Sequence, residues 1–305
     1  MAPQAAGAAE PRAVQLRCAD GLLLGGHYWA AAQPQGCVIV NAATGVLARY
    51  YHRYARFLAG HGFDVLTYDY RGIGTSRPPS LRGCGYRWRD WGELDFQAAL
   101  DFAGRHGNGP IMVVGHSIGG FLPGLAPGAD AVARMLTVGA QYAYWRDYAR
   151  DARGRQLLKW HLAMPLLTAA CGYFPGRRLG WLEDLPAGVA NEWAFRRARI
   201  EAGYPSGRRA DVLARFAAVK AAILAVGMSD DEFGTPAALR RTLDYYSGSA
   251  AIQVQLTPQD LGLARVGHFD LFHARHQPGF WVRTLDWLRE GRNPWPKHVL
   301  HASSP

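Results

Sequence analysis

A mostly parallel α/β sheet flanked by helices is the fold class this sequence predicts, and three observations predict it. Short runs rich in β-branched residues alternate with longer amphipathic stretches along most of the chain, the mark of a parallel or mostly parallel sheet. One run, PIMVVG at 110–115, has no polar alternation, as expected of a central strand buried on both faces. The length, 305 residues with 49% of them apolar, is enough for one large domain, or for a core domain with an insertion.

The elements follow in order. The opening MAPQAAGAAEPRAVQ has neither the basic region nor the dense apolar stretch of a secretory signal, and its Ala/Gly/Pro/Gln segment reads as poorly ordered. AVQLRCADG and LLLGGHYWA read as two strands around a turn at Asp20-Gly21. GCVIVNA (36–42) is a short buried strand. Tyr51, Tyr54, Phe57 and Leu58 then share one face of a helix that Gly60 and Gly62 close. DVLTYDY (64–70) is the next strand, and the loop RGIGTSRPPS behind it is turn-rich. A helix from about Asp90 carries Trp91, Leu94, Ala98 and Phe102 on one side. RMLTVGA (134–140) is a further strand after the central one.

The pattern then changes. From about Gln141 to Arg215 no strand pattern is found, and stretches such as QYAYWRDYARDARGRQLLKWHLAMPLL read as a helical insertion rich in Trp, Tyr and Arg. Its aromatic residues read mostly as the insertion's own core, with a minority left to line an acyl pocket. Strand character returns at AAILAVG (221–227). A helix follows Pro236, then the strand AIQVQLTP (251–258), then a last helix over about 278–289. The tail PWPKHVLHASSP reads as loop.

Composition narrows the function. The net charge is +10, and arginine supplies nearly all of the positive side. The arginines are thinly spread, with no basic block and no nucleic-acid motif, so nucleic acid is not an expected partner. An anionic substrate stays open. No apolar run reaches the length of a membrane span. The four cysteines, at 18, 37, 84 and 171, show neither paired nor zinc spacing and read as free thiols in a reducing compartment, hence a cytoplasmic protein.

Gly115-His116-Ser117-Ile118-Gly119 follows the central strand directly. A serine that attacks a carbonyl needs a base, a group to orient the base, and donors for the oxyanion. Glycines two before and two after the serine remove the Cβ atoms that a sharp strand-to-helix turn would press together. His268, in Gly267-His268-Phe269 after the last strand, is the expected base, by the chain order nucleophile, acid, histidine. His273 and His276 read as surface or helix-start residues, and His116 as a packing residue. The acid is expected after AAILAVG, where Ser229-Asp230-Asp231-Glu232 stands. Asp231 is preferred and Asp230 is the alternative, with the remaining carboxylates capping the helix near Thr235-Pro236. Oxyanion donors are expected from the N–H of Ile118 and from the loop Asn41-Ala42-Ala43-Thr44-Gly45, at Ala43 or else at Ala42 or Thr44.

Four stretches, VIVNAATGVLARYY, GFDVLTYDYRGIGTSRP, VVGHSIGG and VGHFDLF, resemble the α/β-hydrolase superfamily over nearly the whole chain. NAATGV and SDDEFGTP are similar to a branch of predicted serine hydrolases near the serine-aminopeptidase-like and monoacylglycerol-lipase-like proteins. The resemblance implies an eight-stranded, mostly parallel sheet in a core formed by 1–141 and 216–305, with 142–215 as a helical lid over Ser117. Measured from the strand start and to Thr235 it favours Asp231 at the acid position, while counting from Gly227 alone favours Asp230. In the segment Asp69-Tyr70-Arg71-Gly72-Ile73-Gly74-Thr75-Ser76 it implies a tight turn held by an Asp/Arg pair. Asn41-Ala42 stands where most members carry His-Gly.

These observations together predict a cofactor-independent serine hydrolase with no metal, acting on a small-molecule substrate with a medium, apolar acyl group, most simply a carboxylic ester. Thioester or amide cleavage and acyl transfer use the same groups. A hydrolase-fold binding protein without catalysis is the rival from another class, and a nucleic-acid or membrane-surface binder is the third.

Overall fold

The computed structural model describes residues 10–304. The expectation for the opening Ala/Gly/Pro segment falls largely on residues 1–9 and lies outside the described residues. Among the described residues eleven strands are present: β1 (Arg12–Arg17), β2 (Leu23–Trp29), β3 (Cys37–Asn41), β4 (Asp64–Tyr68), β5 (Ile111–His116), β6 (Val132–Val138), β7 (Tyr173–Phe174), β8 (Leu185–Pro186), β9 (Ala222–Met228), β10 (Ala251–Leu256) and β11 (Val299–Ser303). Nine of them form one sheet in the order β1-β2-β4-β3-β5-β6-β9-β10-β11. The six strands from β4 to β10 run parallel, while β2 at one side and β11 at the other run against them, and β1 pairs antiparallel with β2 at the outer edge.

β5, the run without polar alternation, is the middle strand, and it is buried from Met112 onward. The chain adds β4 to one side of β3 and β5 to the other. Strand order therefore reverses between β3 and β5, and a crevice opens beyond their carboxyl ends, where open α/β sheets bind ligands. Asn41 ends β3 and His116 ends β5, so the loops after them share this crevice.

Helices cover both faces of the sheet. α1 (His52–Gly60) buries Tyr54, Phe57 and Leu58, the stripe expected from the sequence. α2 (Gln97–His106) continues a helical run that opens at Trp88 and widens by one π-turn over Trp91–Phe96. Between β6 and β9 lie helical segments, among them α3 (Met164–Cys171), α4 (Ala187–Ala194) and α5 (Arg209–Ala218), together with the two-residue pairing of β7 and β8. α6 (Pro236–Tyr245) and α7 (Val282–Glu290) complete the layers. No helix among the described residues is long and apolar enough to cross a membrane. All four cysteines are free.

Three expectations are corrected. The tail is not all loop: Val299–Ser303 pairs with β10 as a ninth strand, its register broken between Gln253 and Val254. No helix follows Ser117. Two separate 3-10 turns, Ser117–Gly120 and Leu122–Leu125, stand there. Gly119, Gly120, Pro123 and Gly124 are poor helix formers, and a Cβ on Gly124 would lie 2.0 Å from the Phe216 ring of α5.

The third correction concerns the turn after β4, which is not held by an Asp69/Arg71 pair. Asp69 accepts from Thr75 N (2.9 Å), Thr75 Oγ1 (2.8 Å) and Ala48 N (2.8 Å). Arg71 turns the other way. Its backbone N–H and Nε hold the two oxygens of Asp95 at 2.8 and 2.6 Å, and its Nη1 reaches Asp20 at 2.8 Å.

The Arg71 and Asp95 side chains are 3% and 0% exposed, whereas Asp20 is 42% exposed. Removing one partner of a buried pair strands the other charge. Asp95→Ala is expected to lower the unfolding free energy by about 3 kcal/mol, and Asp20→Ala by about 1 kcal/mol or less. Urea unfolding of both variants checks this. Equal losses would deny the inner pair its anchoring role.

Candidate active site

Ser117 departs from β5 with φ +55°, a left-handed backbone that side chains other than glycine rarely adopt. The glycines around it permit that turn. A Cβ on Gly115 would lie 2.5 Å from Gly120 Cα, and one on Gly119 would lie 2.3 Å from the carbonyl oxygen of Asn41. The turn after β5 and the end of β3 are thus in backbone-to-backbone contact. Asn41 locks that contact. Its Nδ2 donates to Gly119 O at 3.2 Å, and its Oδ1 accepts from the Tyr68 hydroxyl at 2.9 Å.

The acidic loop resolves into three separate jobs. Asp230 accepts from the backbone N–H of Val266 (2.8 Å) and Gly267 (3.0 Å), so it ties down the loop that carries His268. Asp231 accepts from His268 Nδ1 at 2.7 Å and from the N–H of Phe233 and Gly234 at 2.8 Å each. Glu232 faces Arg155 at 2.5 Å and Gln156 at 2.8 Å. None of the three caps α6, because Thr235 Oγ1 does so by accepting from Ala238 N.

Burial alone would push the Asp231 carboxyl up. His268 and the two N–H donors outweigh it and hold the carboxyl below its ordinary range. A carboxylate at Nδ1 keeps the proton on that nitrogen and leaves the lone pair on Nε2. Glycine is required behind this pair. A Cβ on Gly234 would lie 2.5 Å from Asp231 Oδ2, and one on Gly139 would lie 3.0 Å from it.

Ser117 and His268 open on one cavity of about 320 Å³, whose walls include Ala43, Thr44, Ile118, Trp160, Trp181, Leu182, Trp193 and Phe233. No hydrogen bond joins Ser117 Oγ to His268 among the described residues. Of the aromatic residues between β6 and β9, three tryptophans face this cavity, while Tyr142, Phe174 and Tyr204 are buried away from it. His273 is exposed as expected, but His276 is buried and bonded to Asp270 at 2.6 Å.

The sequence reading missed one buried polar chain. Ala43, expected to offer its N–H to an oxyanion, donates it to the Tyr51 hydroxyl at 3.0 Å. Thr44 lines the cavity, and its N–H has no partner among the described residues. The Tyr51 hydroxyl meets His116 Nδ1 at 2.7 Å, and His116 Nε2 meets the His268 carbonyl at 2.9 Å. The carbonyl can only accept, so Nε2 carries the proton and Nδ1 accepts from Tyr51. Tyr51 sat in the expected apolar stripe, and nothing in the spacing marked its hydroxyl. His116 therefore does more than pack: it links the loops of Ala43 and His268.

Burial, with His268 close by, pushes His116 down from 6.5 to about 3. Its folded value lies below its unfolded one, so the unfolded chain takes the proton first. The stability contributed is complete above the unfolded value and is lost as pH falls toward the folded one. The slope is about 1.4 kcal/mol per pH unit for one proton. Unfolding free energies of wild type and His116→Gln, taken from about pH 6.5 to about pH 4, are expected to differ in slope by that amount. Parallel curves would mean that His116 is protonated in the folded protein.

Comparison with known proteins adds the following. The family model described as alpha/beta hydrolase family matches residues 37–283. No curated protein matches the chain in sequence. Among solved structures, the Pyrococcus furiosus esterase Pf2001 is similar with a TM-score of 0.60 at 14% identity, covering 92% of this chain and 91% of that one. The esterase EaEST from Exiguobacterium antarcticum gives 0.58 at 14%, covering 92% and 100%. DcsB, solved with a substrate analogue, gives 0.62 at 13%, covering 92% and 99%. At such identities the likeness speaks for the fold. The sheet with its strand-order reversal, the glycine-lined turn at Ser117 and a family match over most of the chain lead to one conclusion: this chain belongs to the alpha/beta hydrolase family of enzymes.

Proposed function

We propose that this enzyme hydrolyses a carboxylic ester or related acyl bond through a covalent acyl-serine. One observation carries the reading: Ser117 is held out on a left-handed turn, into the same cavity as a histidine whose other nitrogen is fixed by a buried carboxylate. Ser117 Oγ attacks the acyl carbon, and its proton passes to His268 Nε2. Asp231 keeps His268 in the working tautomer and stabilises the imidazolium. The oxyanion is held by the N–H of Ile118 and by the backbone of the Ala43–Thr44 turn, where the Thr44 N–H is the unengaged donor. His268 then gives its proton to the leaving alcohol. Water, deprotonated by His268, attacks the acyl-serine, and collapse returns Ser117 and releases the acid.

No step calls for a cofactor. The segment 142–215 acts in this reading as a lid whose tryptophans form the acyl wall.

Hydrolysis of p-nitrophenyl esters, acetate through decanoate, tests the reading. Ser117→Ala is expected to lose at least about 10⁴-fold in kcat, and a fluorophosphonate is expected to label the wild type at Ser117. Turnover that survives Ser117→Ala would remove Ser117 as the nucleophile, and a wild type with neither turnover nor label would favour the binding-protein rival. The acids are tested separately. Asp231→Asn is expected to cost about 10³–10⁴-fold in kcat. Asp230→Asn, which loosens only the Val266–Gly267 anchor, should cost about tenfold or less. The reverse order would move the orienting role to Asp230.

A further inference from the structure

The cavity at Ser117 carries more positive charge than its own partners neutralise. Arg155, Lys159 and Arg196 line it against a single carboxylate, Glu232, and Glu232 is taken by Arg155 and Gln156. Among the described residues, neither Lys159 nor Arg196 forms an ion pair. Lys159 is one of three lysines in the chain, and its Nζ lies 4.5 and 4.4 Å from the ring centres of Trp160 and Trp181. Arg196 stands in the wall between this cavity and a neighbouring one. One of its nitrogens donates to the Tyr142 carbonyl, and the guanidinium lies over Trp88 at 4.1 Å. Its Nη2 is buried with no partner. The nearby Glu192 is held by Arg89 at 2.6 Å.

An indole face attracts a cation but accepts few of its N–H bonds. A buried charge without a counter-charge is costly to keep. Arg196, with its buried Nη2, and the half-buried Lys159, both on the wall of one reaction cavity, are explained when a ligand supplies the missing charge.

We propose that the substrate is an ester carrying a carboxylate, which Lys159 and Arg196 hold while Ser117 meets the ester carbonyl. This rests on the esterase reading above and replaces the fully apolar substrate expected from the sequence. A carboxylate fits better than a phosphate. Two single cations set among indoles suit a small monoanion, whereas phosphate sites gather several backbone N–H groups. Both cations have pKa values lowered by burial, an effect that a bound anion would reverse.

The first experiment compares kcat/KM for p-nitrophenyl esters of dicarboxylic acids, glutarate through suberate, with their methyl-capped neutral twins. A second pair, p-acetoxybenzoate and its methyl ester, places the charge on the leaving side instead. In one of these two arms the anionic member is expected to lead by about tenfold at low ionic strength, the worth of a charged hydrogen bond. Lys159→Met and Arg196→Met are each expected to bring that ratio toward one, while Lys159→Arg keeps most of it. Neutral twins that match or beat the anionic esters in both arms would overturn the proposal.

A readout free of chemistry separates this failure from failure of the esterase reading. Calorimetric titration of Ser117→Ala with monomethyl adipate and dimethyl adipate, and with p-acetoxybenzoate and its methyl ester, is expected to show about tenfold tighter binding of the anionic member in one pair. Equal affinities within both pairs would overturn the inference whatever the turnover results.

Discussion

The candidate site depends on a close contact between two backbones. Gly119, in the turn after the central strand, sits so near the Asn41 carbonyl that even a methyl group would collide with it. That contact brings the carboxyl ends of β3 and β5 together at the reversal of strand order. It sets Ser117 beside the loop of Ala43 and Thr44, and it leaves room for one polar lock, the Asn41 amide. Side chains could be exchanged elsewhere in the core with some repacking. Here there is no side chain to exchange.

Around that contact, polar groups link segments far apart in the chain. Ala43, Tyr51, His116 and His268 form one buried chain of hydrogen bonds. Asp230 and Asp231, adjacent in sequence, hold the backbone and the ring of the same histidine loop. Each bond is modest by itself. In a water-free interior their loss would leave donors and acceptors unmatched, which gives the cluster its rigidity.

Much of this was legible in the sequence, for reasons that can be named. β5 was legible because a strand covered on both faces loses polar alternation, and the α1 stripe because a helix repeats every 3.6 residues. The glycines around Ser117 were legible because steric demand selects a residue type at a fixed offset. The last strand was not, because four of the five residues of Val299–Ser303 are exposed and carry no burial pattern. The partners of Arg71 were not, because Asp20 and Asp95 lie 51 and 24 residues away. The division of labour between Asp230 and Asp231 was not fully legible either, since loop backbone, and not residue type, decides where each carboxylate points. The unneutralised cations of the cavity became visible only once the acids near them had been matched to other arginines.

The absence of a helix after Ser117 reaches beyond shape. A long helix starting at this turn would line up its peptide groups and present roughly half a positive charge at its first turn. Here the 3-10 turn Ser117–Gly120 ends after four residues, and a second short turn follows it. The long-range field of an aligned column of dipoles is missing. Negative charge arising beside Ser117 would be met by individual amide groups at contact distance, so a displacement of a few tenths of an ångström in either loop would weigh more here than in a relative with a helix behind its serine.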